Sequence, residues 1–129
     1  MKSVESFVEN WSKIWRGADS DVQLYMSLLH EGCSLVNPVN SGTREDLPAI
    51  MHSFLSVEPD VRVVPIRWVK TDDGVIIEWI NTGTLHGVPF ELRGVDCFIL
   101  KDGKASEGYS YFDPRPFLQG PTAPSEQQG

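Results

Sequence analysis

Asp96 stands where an apolar side chain is expected. Between Phe90 and Leu100 the alternate residues Phe90, Leu92, Gly94, Asp96, Phe98 and Leu100 would share one face of a strand, and Asp96 is the only charged group among them. A buried carboxylate must find donors or keep its proton through a raised pKa. Two readings follow: a protonated donor or general acid in a pocket, or a structural acceptor tying strand to helix. Asn81 is the second polar intruder, sharing a face with Ile77, Trp79 and Gly83. Its amide can donate and accept at once, which suits orienting a substrate oxygen or a water, although a satisfied core amide is the commoner use. Asn37 precedes Pro38, which keeps it extended, and leads into Pro38-Val39-Asn40-Ser41-Gly42; it is either a third polar site residue or an ordinary turn residue.

Large aromatic side chains surround these groups in the sequence pattern. Trp11, Trp15, Phe54, Trp79, Phe98 and Phe112 are candidates for the walls of a mainly apolar pocket, and such pockets with few polar groups are what small-molecule sites usually look like. His30, His52 and His86 have no spacing among themselves or with Cys33 and Cys97 that a zinc site needs. No glycine-rich phosphate loop, nucleophile elbow or dinucleotide fingerprint occurs, so neither a metal nor another cofactor is expected.

The formal charge of −7 opposes approach to phosphate backbones and anionic membranes, so nucleic acid and membrane partners are not expected. The first residues, Met1 to Trp11, are interrupted by charged and polar groups and show neither a signal-peptide core nor a spanning segment, which makes cytoplasmic residence the expectation. Cys97 lies in an apolar run, where a free thiol behaves as a small hydrophobe.

The elements that must position these residues follow from periodicity. Val4, Phe7, Val8, Trp11, Ile14 and Trp15 recur at helical spacing and predict a helix ended by Gly17. Asp19, Ser20 and Asp21 offer caps for a second helix running through Val22, Tyr25, Met26, Leu28 and Leu29. After a short extended piece, Ser34 to Pro38, Thr43-Arg44-Glu45-Asp46 has the form of a capping box, with Pro48 in the first turn of a third helix carrying Ile50, Met51, Phe54 and Leu55. From Val61 the period switches to two, predicting strands over Val61 to Thr71, Val75 to Thr84, Phe90 to Leu100 and Ala105 to Phe112. Short turns join them, so an antiparallel meander results. The fold class is therefore α+β: a curved antiparallel sheet packed around three N-terminal helices. Residues 1–118 form one domain, and residues 119–129, rich in Pro, Gly, Gln and Ser, are expected to be a mobile tail.

Three helices, an Asn-x-Pro region and a meander closing with Gly108-Tyr109-Ser110-Tyr111-Phe112-Asp113-Pro114 resemble the nuclear transport factor 2-like superfamily, and its SnoaL-like branch in particular. The stretches from Glu78 to Thr84, from Phe90 to Asp96 and from Leu100 to Lys104 carry the resemblance, which covers residues 4 to about 117. It implies a cone whose mouth admits an apolar ligand, and a homodimer formed through the outer sheet surface. Its relatives include polyketide cyclases, ketosteroid isomerase, limonene epoxide hydrolase and non-enzymatic transport proteins.

Position by position, Asp96 matches the isomerase's oxyanion-donating acid, a carboxyl kept neutral by an apolar site. The isomerase's base falls on Asn37 and its oxyanion tyrosine near Trp11. Against the epoxide hydrolase, Asn37 matches a water-holding asparagine, while the Arg/Asp/Asp set falls on Trp79, Asn81 and Ser110. The cyclases' catalytic carboxylate also falls on Ser110, with Asp113 three residues later as a displaced substitute. The resulting expectation is a pocket acting on a small apolar, oxygen-bearing molecule by isomerisation, cyclisation or hydration. Asp96 is its acid, Asn37 or Asn81 orients substrate or water, and Ser110 lines the ligand site. A carrier module without turnover, or an interaction dimer with a vestigial pocket, remain the alternatives. The mixed outer face of Arg93, Val95, Cys97, Ile99, Tyr109 and Tyr111 adds to the homodimer expectation.

Overall fold

The computed structural model describes residues 3–118; the expected tail at 119–129 lies outside them. The first apolar stripe forms helix α1, Val4–Trp11, with the Ser3 hydroxyl accepting the Ser6 N–H at 3.0 Å as its N-cap. The helix stops at Trp11 and does not run on through Trp15 as the periodicity predicts. The chain tightens instead, with Lys13 N–H on the Asn10 carbonyl and Ile14 N–H on the Trp11 carbonyl, and Asp21 then accepts the Arg16 N–H at 2.8 Å and the Ala18 N–H at 3.2 Å. Trp15 then sits at φ 58°, ahead of Gly17 at φ 75°.

Helix α2 spans Asp21–Ser27. Leu29, expected in that helix, instead opens strand β1, Leu29–Val36, and faces Ala105 across a parallel ladder. Strand β2 is the two residues Gly42–Thr43. The capping box forms as its spacing predicts: Asp46 accepts the Thr43 N–H at 2.8 Å and starts the 3-10 turn Arg44–Asp46, which leads into α3, Leu47–Leu55.

The four long strands are β3 (Arg62–Lys70), β4 (Gly74–Leu85), β5 (Val88–Lys101) and β6 (Lys104–Tyr111), followed by the short helix α4, Arg115–Leu118. They pair antiparallel in sequence order. Two of their turns put both central residues at positive φ, His86 and Gly87 at 52° and 83°, and Asp102 and Gly103 at 54° and 83°, the geometry that matches strand twist in two-residue hairpins.

The meander is correct but incomplete, because β1 and β2 extend it beyond β6 in the order β2-β1-β6-β5-β4-β3. The β1–β6 pair is parallel, so the sheet is mixed rather than wholly antiparallel. Irregular registers at Pro65/Arg67 and Ile99/Leu100 bend the strands. The helices cover the inner face, where Phe7 of α1 meets Phe98 of β5 edge-on with ring centroids 5.0 Å apart. Cys33 and Cys97 are both free thiols. Among the described residues, no helix is long and apolar enough to cross a membrane.

Asp21 is only 2% exposed and satisfies two backbone donors. Asp21→Ala is expected to cost about 1–3 kcal/mol of unfolding free energy in urea titration. Asp21→Asn, which keeps one acceptor oxygen, is expected to lose less.

Candidate active site

Strands β4 and β5 bring the polar groups to one place. Asp96 lies opposite Ile77 on β4 and Ser110 on β6, while Trp79 lies opposite Gly94. The Trp79 indole extends over that glycine: a Cβ there would sit 2.4 Å from Trp79 Cζ2 and 2.5 Å from Cη2. Only glycine leaves room for the ring, and the ring so placed donates its Nε1–H to Asp96 Oδ1 at 2.9 Å. Gly94 therefore matters to the acid two residues along.

Asp96 is 5% exposed. Burial raises its pKa to about 6 against the opposing pull of Ser110, Trp79 and Trp11, which favour the ionised form. Of these donors, Trp79 makes the well-formed bond; the Trp11 indole N–H is buried without a partner. Tyr25 of α2 is also buried, and desolvation, then the charges of Asp96 and Cys33, hold its phenol well above the ordinary range.

These groups face a cavity of about 90 Å³, counted as space open to the centres of water-sized molecules. A single water needs roughly 10–15 Å³ on that measure, so there is room for a small organic molecule. Trp11, Trp15, Asn37, Phe54, Trp79, Asn81, Asp96, Phe98, Ser110 and Phe112, all nominated from the sequence, line this one cavity. Their surroundings differ. Phe54 is the hub of an aromatic wall, edge-on to Trp15 at 5.8 Å and to Phe112 at 6.2 Å.

Asn37 has a structural task instead of a free amide. Its Oδ1 accepts the N–H groups of Val39 and Asn40, both at 2.8 Å, and its Nδ2 donates to the Asn40 carbonyl at 3.2 Å. It shapes the rim by folding its own loop and also lines the cavity. Asp113, the displaced carboxylate, is held by Arg115 at 2.8 Å in an ion pair at the start of α4. It is absent from the cavity lining.

Of the lining residues that the sequence reading did not nominate, three matter most to the site. Phe117 of α4 closes on Phe54 at 5.2 Å and Phe112 at 5.6 Å. Tyr25 reads in the sequence as part of the apolar stripe of its helix. Glu58 is the most consequential, because it lies in the loop after α3, where no periodicity marks it. It is 1% exposed, and it accepts the Asn81 Nδ2–H at 3.0 Å. Burial raises its pKa to about 7, with Asn81 pulling the other way and Asp60 adding slightly to the rise. The one sequence signal for it was Gly83, two residues past Asn81 on the same face, where a Cβ would lie 2.6 Å from Glu58 Oε2.

Among the described residues, no group of three or more His, Cys, Asp or Glu side chains is placed to hold a metal ion. What the cavity offers is an apolar enclosure with two carboxyls whose pKa values are raised, chiefly by burial and not by each other.

The SnoaL-like domain family matches residues 4–108, and the chain belongs to that family. Its fold is that of the nuclear transport factor 2-like proteins. A protein from Jannaschia sp. CCS1, proposed to be a SnoaL-like polyketide cyclase, superposes with TM-score 0.80 at 18% identity, over 94% of this chain and 92% of its own. A Catenulispora acidiphila protein of ketosteroid isomerase-like fold, in complex with trimethylamine, gives TM-score 0.80 at 17% identity, over 96% and 98%. TerC, crystallised with polyporic acid, gives 0.71 at 17%, over 90% and 92%. At such identities the likeness carries the fold alone. No curated protein matches the chain.

Two outcomes are expected. Gly94→Ala should destabilise the protein by about 1–3 kcal/mol through overpacking against Trp79 and shift the tryptophan fluorescence. The second concerns pH. The native state holds a proton on Asp96 up to about pH 6, whereas the unfolded state releases it near 3.8, so stability falls as pH rises through that window. At ~1.4 kcal/mol per unit the fall is up to ~3 kcal/mol. Urea titrations of Asp96→Asn should lack this fall and keep the later one from Glu58, between 4.5 and about 7; pH profiles parallel to wild type would contradict the assignment.

Proposed function

We propose that this SnoaL-like protein is an enzyme acting on a small, largely apolar, oxygen-bearing molecule, with Asp96 supplying a proton or hydrogen bond to a ligand oxygen. Isomerisation, cyclisation and hydration all use such a step. The observation that carries the reading is Asp96 itself, a carboxyl buried at 5% exposure on the wall of an open apolar cavity, with burial raising its pKa to about 6. A ligand that expels the remaining water strengthens that effect and keeps the proton in place for transfer. Trp79 positions the carboxyl through its N–H, and the ring wall of Phe54, Phe112 and Trp15 supplies apolar contact. The complexes of relatives with trimethylamine and with polyporic acid lend support to a small-molecule ligand here.

The test needs no knowledge of the natural substrate. Exchange of the α-hydrogens of 1-indanone into D2O, in which deuteroxide or buffer base takes the C–H proton while Asp96 donates to the carbonyl oxygen, is expected by NMR to be accelerated by the wild type. The acceleration should fall by about 10²–10⁴-fold in Asp96→Asn. Equal indanone affinity in both proteins with no exchange in either would favour a carrier.

We also propose that the outer sheet face joins two copies of the chain. Val95, Cys97, Ile99 and Tyr109 are half-buried there, and Tyr111 is 61% exposed. Sedimentation equilibrium should find a dimer that Tyr111→Glu shifts towards monomer; wild-type monomer alone at high concentration would count against it.

A further inference from the structure

The cavity has two polar ends, and the groups left without partners at them are of opposite kinds. At the Asp96 end the group without a full hydrogen bond is a donor, the Trp11 indole N–H, near enough to Asp96 to favour its ionised form. At the other end Glu58 Oε2 and Asn81 Oδ1 lack partners, and both are acceptors once Glu58 is ionised. All three side chains line the cavity, and their exposures of 1%, 1% and 6% keep bulk water from satisfying them cheaply. Asn81 lies four residues along β4 from Ile77, the residue opposite Asp96. At about 3.4 Å per residue the two ends are roughly 14 Å apart along the strand, with the Trp79 ring between them.

The Glu58 end is built to stay as it is. Three main-chain bonds fix its loop: Glu58 N–H to the Phe54 carbonyl at 3.0 Å, Val61 N–H to the Glu58 carbonyl at 3.3 Å and His86 N–H to the Val57 carbonyl at 3.2 Å. Asp60 ties the same loop to β4 by accepting from the Thr84 N–H at 2.8 Å and the Thr84 hydroxyl at 2.9 Å. Asn81 Nδ2 holds one Glu58 oxygen, which leaves the other oxygen and the Asn81 carbonyl oxygen in need of donors.

We propose that Glu58 and Asn81 form a hydroxyl-binding subsite, so that the ligand carries an O–H group at this end and an acceptor oxygen at the Asp96 end. This rests on the cavity being a ligand site, as argued above, and adds which ligands enter and which way round. A hydroxyl supplies a donor to these oxygens, whereas an ether oxygen in the same place supplies none. Glu58 acts as a positioning residue for binding, and the opposite polarity of the two ends fixes the ligand's direction.

Isothermal titration calorimetry with 4-hydroxyacetophenone and 4-methoxyacetophenone tests this, since both place an oxygen at each end of a ring and only the first has the hydroxyl. Wild type is expected to prefer the hydroxyl compound by roughly tenfold or more. In Glu58→Gln the amide keeps its oxygen on Asn81 and turns NH2 into the cavity, so the preference should collapse while the methoxy compound binds about as before. Equal affinity for both probes in wild type, or a preference undiminished in Glu58→Gln, would overturn the subsite and leave the ligand-pocket reading intact. Binding of neither probe would overturn both.

Discussion

Everything at this site depends on one carboxyl group being kept out of water. Asp96 is tolerated inside because a single ring, Trp79, supplies a donor, and because the strand opposite that ring has no side chain to push it away. The donor is too little to offset burial fully, so the acid keeps a raised pKa. A better-satisfied carboxylate would be a structural tie and nothing more. Incomplete satisfaction is what leaves a proton to give.

The sheet exists, for this purpose, to set spacing. Strand pairing fixes Ser110, Asp96 and Ile77 in one row and Trp79 beside Gly94 in the next on the inner face. Helix α1 brings Trp11 to the acid, and α3 carries Phe54 and, through the loop behind it, Glu58. Fold alone does not fix activity, so the residues of the site must say what it does. Asn37 shows the limit of such carry-over, because its side chain accepts from the Val39 and Asn40 N–H groups of its own turn.

Much of this was legible in sequence because period-two alternation makes a buried acid stand out. Asp96 and Asn81 break an otherwise apolar face, and the strand limits came within two residues at each end. The parallel β1 was harder: Leu29 to Val36 has few β-branched residues and an irregular ladder, and only tertiary pairing with β6 makes it a strand. The early end of α1 was hidden as well, since the apolar spacing continues through Ile14 and Trp15 while the backbone leaves the helix after Trp11. Glu58 was missed for a similar reason. A loop has no period against which a buried charge can look out of place, and its partner Asn81 is 23 residues away.

The most direct test of the account is the carboxyl ¹³C shift of Asp96 followed by NMR as a function of pH, identified by its loss in Asp96→Asn. A midpoint near pH 6 is expected, well above the ordinary 3.8 for an aspartate. A midpoint at or below that ordinary value would mean the group is a hydrated or fully bonded carboxylate, and the proposed acid would not exist.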